Sequence, residues 1–285
     1  MRLKANVTLL IVALIWGSAF AAQRIIGEMG NVFLFNGLRF LLGALLLWPF
    51  LRGKPSLGRP GWKWVIAAGF VLFIASALQQ AGLMFTTAGN AGFITSLYVV
   101  LVPIVLFFGW KERPFWTQVA AVFLAIGGGY LLSTGGEFHI QSGDLLELAG
   151  ALFWAFHVVL LGKFATRYNA LRFAAGQFLV SGLLNFGVGA VTETLPLAQI
   201  WAFIGGVLYT GIFSVAVGYT LQVWAQRHTP PTDAAILLSL EAVFAVLFGW
   251  LLLGEVLSPI QALGCGLIFV AVLLAQIRFG RNSLF

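Results

Sequence analysis

Polar residues punctuate this chain at wide, regular intervals instead of alternating with apolar ones. Between them lie ten apolar runs, at 7–23, 32–51, 62–82, 90–109, 116–133, 144–163, 170–191, 201–225, 234–253 and 260–277. A hydrocarbon core about 30 Å thick is crossed by about 20 apolar residues in a helix. The pattern therefore predicts an all-α integral membrane protein with ten transmembrane helices. The connections are short, and the longest polar one, 134–143, falls at the middle of the chain.

The pattern also repeats. Gln79, Ser96, Glu112 and Gln118 recur as Gln222, Ser239, Glu255 and Gln261, each 143 positions later. Ala13-Leu14-Ile15-Trp16 is answered by Ala151-Leu152-Phe153-Trp154 at a shift of 138. A constant offset over this length marks an internal duplication, with one unit at 1–133, a linker at 134–143 and a second unit at 144–285. Five helices per unit is an odd number, so the second unit enters the membrane the other way up. Such inverted repeats build many secondary transporters, with the substrate site between the halves. Because Trp16 has a counterpart in Trp154, the first apolar run reads as a span and not as a cleaved leader, despite the small-residue pattern Ala19-Phe20-Ala21.

Composition agrees: 60% of residues are hydrophobic and 9% are charged, against about 25% charged in a soluble domain. With both termini placed in the cytoplasm, 14 of the 16 Lys and Arg residues fall on the cytoplasmic side, leaving Arg24 outside and Arg39 inside a helix. This is the positive-inside arrangement. Six acidic residues, Glu28, Glu137, Asp144, Glu147, Glu193 and Glu255, fall at the outer side. The net charge of +7 is thus spread over every inner loop and gives no nucleic-acid surface. The lone Cys265 excludes an intramolecular disulfide. Trp48, Trp62, Trp64, Trp110, Trp116, Trp201 and Trp224 stand near helix ends, where indoles anchor at the interface. Ala121, Ala125 and Gly129 form a small-residue stripe suited to close helix packing.

Leu14-Ile15-Trp16-Gly17-Ser18-Ala19-Phe20, Arg39-Phe40-Leu41-Leu42, Ser239-Leu240-Glu241 and Gly254-Glu255 together resemble the EamA-type drug/metabolite transporter superfamily, over essentially the whole chain. The resemblance implies two EamA units in a bacterial inner-membrane exporter of amino acids or other metabolites, an aromatic amino-acid exporter group among them. That family often has a proline after the glutamate of the ninth helix. Here the position is Ala242, which puts a kink there in question, whereas Pro103 is a candidate to bend the fourth helix.

Ionisable groups at membrane depth are site candidates, and three occur: Arg39, His157 and Glu241. Arg39 reads as an arginine snorkelling to the outer interface or as a cavity group. Glu241 and His157 are candidates for substrate contact and for carrying a proton, or else structural. Trp16 and Trp154 lie too deep to be interfacial anchors, and so either pack helices or offer flat faces to an organic solute. Tyr98, Tyr219 and Gln79, with Gln222 as its counterpart, complete the candidate cavity; Ser96 and Ser239 serve either ligand or helix. His139 and His228 lie in or near loops, so no metal-ligand constellation is expected. Nor is a cofactor: Gly53-Lys54 and Gly162-Lys163 lack the spacing of a phosphate loop. An aromatic cavity with few charges points to a secondary transporter exporting small zwitterionic or amphiphilic metabolites, aromatic or neutral amino acids first, from one chain working as a monomer. Another metabolite or drug exporter of the same fold is the alternative. A lipid-modifying enzyme lacks a nucleophile–base pair at one interface, and a channel or flippase lacks polar rings or a basic groove.

Overall fold

The computed structural model describes residues 1–134, 142–195, 197–254 and 258–276. Parts of the expected linker, Glu255 and His139 lie outside the described residues. The described residues form helices α1 (Arg2–Gly27), α2 (Val32–Leu47), α3 (Gly58–Gly82), α4 (Ala88–Ser96), α5 (Tyr98–Trp110), α6 (Trp116–Thr134), α7 (Ser142–Phe164), α8 (Ala170–Thr192), α9 (Ile200–Tyr209), α10 (Thr220–Ala225), α11 (Pro231–Leu238), α12 (Glu241–Leu253) and α13 (Pro259–Gln276). A π-helical segment, Thr210–Tyr219, joins α9 to α10. Eight stretches are long and apolar enough to cross a membrane, and Trp116–Leu132 and Pro259–Leu274 are shorter apolar helices.

The fourth and ninth apolar runs are each broken in two, and the breaks correspond. α4 gives way to α5 at Leu97, and α11 to α12 at Ser239-Leu240. The expected cause in the fourth run, Pro103, lies well inside α5. Each break carries a serine bonded back to the preceding turn. Ser96 Oγ donates to the Phe93 carbonyl at 2.7 Å and Ser239 Oγ to the Ile236 carbonyl at 2.8 Å. Such back-bonding competes with the helix's own ladder and bends it. The ninth run is thus broken although residue 242 is an alanine.

Other positions spaced by 143 have matching local roles. Lys111 and Gly254 both adopt left-handed conformations, at φ 58° and 72°, where they end α5 and α12. Gln118 Oε1 accepts from the Phe115 amide at 2.9 Å and Gln261 Oε1 from the Ser258 amide at 2.8 Å. Each satisfies a donor that the helix start would leave unpaired.

The helix pairings also match in two sets. α3 packs on α7 and α8; the π-helical segment packs on α1 and α2. α1 packs on α12, and α7 on α4 and α5. α6 and α13 pack on one another through glycines: a Cβ at Gly128 would lie 2.7 Å from the Gly264 carbonyl oxygen. Ala121 and Ala125, of the expected small-residue stripe, are buried. Gly128→Leu forces the two helices apart. Overpacking of this kind costs about 1–3 kcal/mol, so thermal unfolding of the purified variant should begin several degrees lower.

Candidate functional site

The deep, wide π-helical turn brings the aromatic groups together. The Trp16 indole N–H donates to the Ser214 carbonyl in that segment at 3.2 Å. Close approach requires Gly218, where a Cβ would lie 2.7 Å from Trp16 Nε1. Tyr219, the next residue, is the hub. Its ring centroid lies 4.6 Å from that of Trp16 and 6.0 Å from that of Trp154, nearly parallel to the latter at 16°. Phe40 and Phe178 pack on it at 6.1 Å each.

These rings form one wall of a narrow cavity of about 30 Å³. Trp16, Gln79, Tyr98, Trp154, Tyr219 and Glu241 all line it, six of the seven positions expected from sequence, together with Gln222. The seventh, His157, stands behind the wall. Its ring is fully buried, edge-on to Trp154 and Tyr219 at 6.0 and 5.9 Å, and its Nε2 is 3.0 Å from Gln177 Oε1.

Eight of the lining residues make four pairs at the sequence shifts. Trp16 corresponds to Trp154 and Phe20 to Val158, both at 138; Gln79 corresponds to Gln222 and Tyr98 to Glu241, both at 143. Corresponding positions of the two halves thus face one space. The cavity is not symmetric in chemistry, because Tyr98 faces it from one half and Glu241 from the other.

Arg39 also lines the cavity, and its position differs from the snorkelling expectation. It is 2% exposed, with its guanidinium carbon 5.1 Å from the ring centroids of both Phe35 and Phe40. Nη1 donates to Gln23 Oε1 at 2.8 Å, while Nε has no partner. Among the described residues it makes no ion pair. Trp154 Nε1 and Gln222 Oε1 likewise are buried without a hydrogen-bond partner in the protein, while the Tyr98 hydroxyl and the Glu241 carboxyl face one another. Buried polar atoms are nearly always paired, so three such atoms around one cavity constitute a polar lining available to a ligand.

Sequence reasoning put Glu147 at the outer rim. It is fully buried, and a chain of bonds joins it to the cavity: Gln79 Nε2 donates to Thr95 Oγ1 at 3.1 Å, and Thr95 Oγ1 donates to Glu147 Oε2 at 2.9 Å. The signal was present in spacing, since Glu147 stands two turns before Trp154 on one helix face.

Corresponding polar clusters lie toward the two faces of the bundle. α1 begins at one face of the bundle and, at 1.5 Å per residue, ends about 39 Å away at the other. At the face holding its start, Thr229 Oγ1 donates to Asn6 Oδ1 at 3.0 Å, Arg2 pairs with Asp233 at 2.7 Å, and Gln118 Nε2 donates to Asp233 at 2.6 Å. At the distal face, Thr86 Oγ1 and Asn90 Nδ2 donate to Asp144 Oδ1 at 2.9 and 2.6 Å. Thr86 corresponds to Thr229 and Asn90 to Asp233 at 143, and Asn6 to Asp144 at 138.

The family model for EamA-like transporters matches residues 3–134 and again 141–276. An uncharacterised transporter of Archaeoglobus fulgidus is 38% identical over 281 residues, covering 97% of this chain and 87% of that protein. A protein of Chlamydia trachomatis named as an S-adenosylmethionine/S-adenosylhomocysteine transporter is 25% identical over 282 residues, covering 90% and 86%. A crystal structure at 22% identity superposes with a TM-score of 0.79, covering 96% of this chain and 97% of the other, which shows the fold. With two family matches spanning the cavity-forming helices of both halves, this chain belongs to the EamA-like transporter family and is a multi-pass membrane protein.

Proposed function

We propose that the protein is a secondary transporter of the cell membrane that exports small zwitterionic metabolites, aromatic or neutral amino acids first among them. Alternating access runs through the cavity, between two inverted five-helix units spanning the membrane ten times, with both termini in the cytoplasm and one chain sufficing. The observation that carries this reading is the polarity of the cavity. A guanidinium stands at one place, a carboxyl at another, and a wall of Trp16, Trp154 and Tyr219 lies in the same space. Arg39 offers a fork to a carboxylate, Glu241 an acceptor to an ammonium, and the rings an apolar face. Gln79 and Gln222 are amides positioned to orient the head group.

The relative named for S-adenosylmethionine and S-adenosylhomocysteine supports a second reading, because both of those cargoes carry an amino-acid head and an aromatic base. Proteoliposomes preloaded with mixed amino acids and S-adenosylhomocysteine test both. Labelled phenylalanine or threonine should exchange inward, blocked by unlabelled excess and absent in empty liposomes, while labelled glutamate should not. Exchange confined to S-adenosylhomocysteine would favour the second reading. Exchange of none of these by folded protein would remove the zwitterion reading.

A further inference from the structure

Glu147 is used by nothing in the transport reading so far, yet its site is built for it. The carboxyl is fully buried within α7. Space for it comes from Gly82 on α3, where a Cβ would lie 2.8 Å from both Glu147 Cγ and Oε1. The hydrogen-bond chain from the cavity delivers the Thr95 hydroxyl to Oε2, and Oε1 has no partner. The titratable groups facing it are Asp144, one turn away on α7, and Glu241 on α12, both acidic. No cation pairs with it among the described residues; Arg39 bonds Gln23 instead. One carboxyl and one hydroxyl are too few oxygens for a metal cation, which takes about six.

We propose that Glu147 is a proton-binding site of this transporter, linked to the cavity through Thr95 and Gln79, so that the proton and the cargo are carried in exchange. A buried carboxyl with acidic neighbours and no counter-cation has its charge set by a proton. Cargo whose ammonium sits by Glu241 brings a positive charge into the same low-dielectric space, where it favours the ionised carboxylate of Glu147 over the neutral acid. Binding of cargo therefore releases the proton, and proton entry through Glu147 drives cargo out. Asp144 of the distal cluster lies one turn from Glu147 on the same helix, so the exchange is placed beside the contacts that must open.

This inference rests on the transport reading, and the experiment separates the two. In proteoliposomes with equal pH on both sides, labelled phenylalanine should exchange equally through the wild type and Glu147→Gln, since glutamine keeps the acceptor for Thr95. With an interior one pH unit more acidic, the wild type should accumulate phenylalanine about tenfold, the ratio that one proton per molecule supplies; Glu147→Gln should equilibrate without accumulation. Exchange by the wild type without accumulation, or accumulation by Glu147→Gln, overturns the proposal. Infrared difference spectra of the purified protein between acidic and alkaline pH are a readout that needs no cargo. A protonated-carboxyl C=O band should vanish in Glu147→Gln and shift in Thr95→Val, which removes the donor to Oε2. A band that neither substitution alters overturns the proposal, even where phenylalanine proves not to be cargo or Glu147→Gln does not fold.

Discussion

Arg39→Met should lower the catalytic efficiency of phenylalanine exchange by roughly 30- to 700-fold while leaving membrane yield unchanged. The reasoning starts from where the guanidinium lies. At 2% exposure, between Phe35 and Phe40, it does not reach an interface. Its protein acceptor is the neutral Gln23 amide, and Nε has none. Burying a cation this way costs several kcal/mol, and an apolar replacement of similar size in such a setting is commonly neutral or stabilising. A fold-serving role would thus predict a variant folded as well and transporting as well. A ligand-binding role predicts loss of a charge-assisted pair with the cargo carboxylate, about 2–4 kcal/mol, which at about 1.4 kcal/mol per factor of ten gives the stated range. Arg39→Lys keeps the charge but loses the planar fork, so its activity should fall between the two. The comparison needs only initial exchange rates at several substrate concentrations, with purified yield as the control. Equal losses of yield and exchange would assign Arg39 to the fold.

The all-helical membrane fold was legible in the sequence for one reason: a membrane leaves few physical alternatives. Ten apolar runs can only be helices, and the indoles of Trp16 and Trp154 stand too far from any interface to be anchors. What was not legible depended on neighbours. Arg39 is deep because α2 is hemmed in by α8 and by the π-helical segment, and Gly37 lets the backbone of Phe186 come close. Nothing local to residue 39 announces that. His157 shares a helix face with Trp154 as expected, but a second aromatic, Tyr219 from a distant helix, stands in front of it. Glu147 was assigned to the rim by counting residues from the helix start, although its face was given by the two-turn spacing to Trp154. The breaks in the fourth and ninth runs were looked for at proline positions, whereas they fall at corresponding places beside Ser96 and Ser239.

The polar clusters at the two faces were invisible for a related reason, since Thr, Asn and Asp near helix ends look like solvated residues until their partners are known. Their correspondence predicts opposite effects from equivalent substitutions. Asp233→Ala removes the Arg2 ion pair and the Gln118 bond at the amino-terminal face; Asp144→Ala removes the Thr86 and Asn90 bonds at the distal face. Hydrogen bonds to a charged group contribute about 1.5–3 kcal/mol each. Arg2 is partly exposed, so its pair is weaker than a buried one. A net bias of about 1.5–3 kcal/mol per cluster shifts the ratio of inward-open to outward-open molecules by roughly 10- to 100-fold. Phe20 and Val158 are fitting reporters, because they line the cavity at corresponding positions, Phe20 nearer the distal face and Val158 nearer the amino-terminal face by the rise along α1 and α7. In a background carrying Cys265→Ser, Asp233→Ala should slow a thiol reagent at Phe20→Cys and speed it at Val158→Cys. Asp144→Ala should do the reverse, and the two together should restore a balance near that of the parent. The restoration is the decisive arm, because loosening by general destabilisation would raise labelling at both sites in each single variant and raise it further in the double one, whereas two opposed contributions to a single equilibrium cancel.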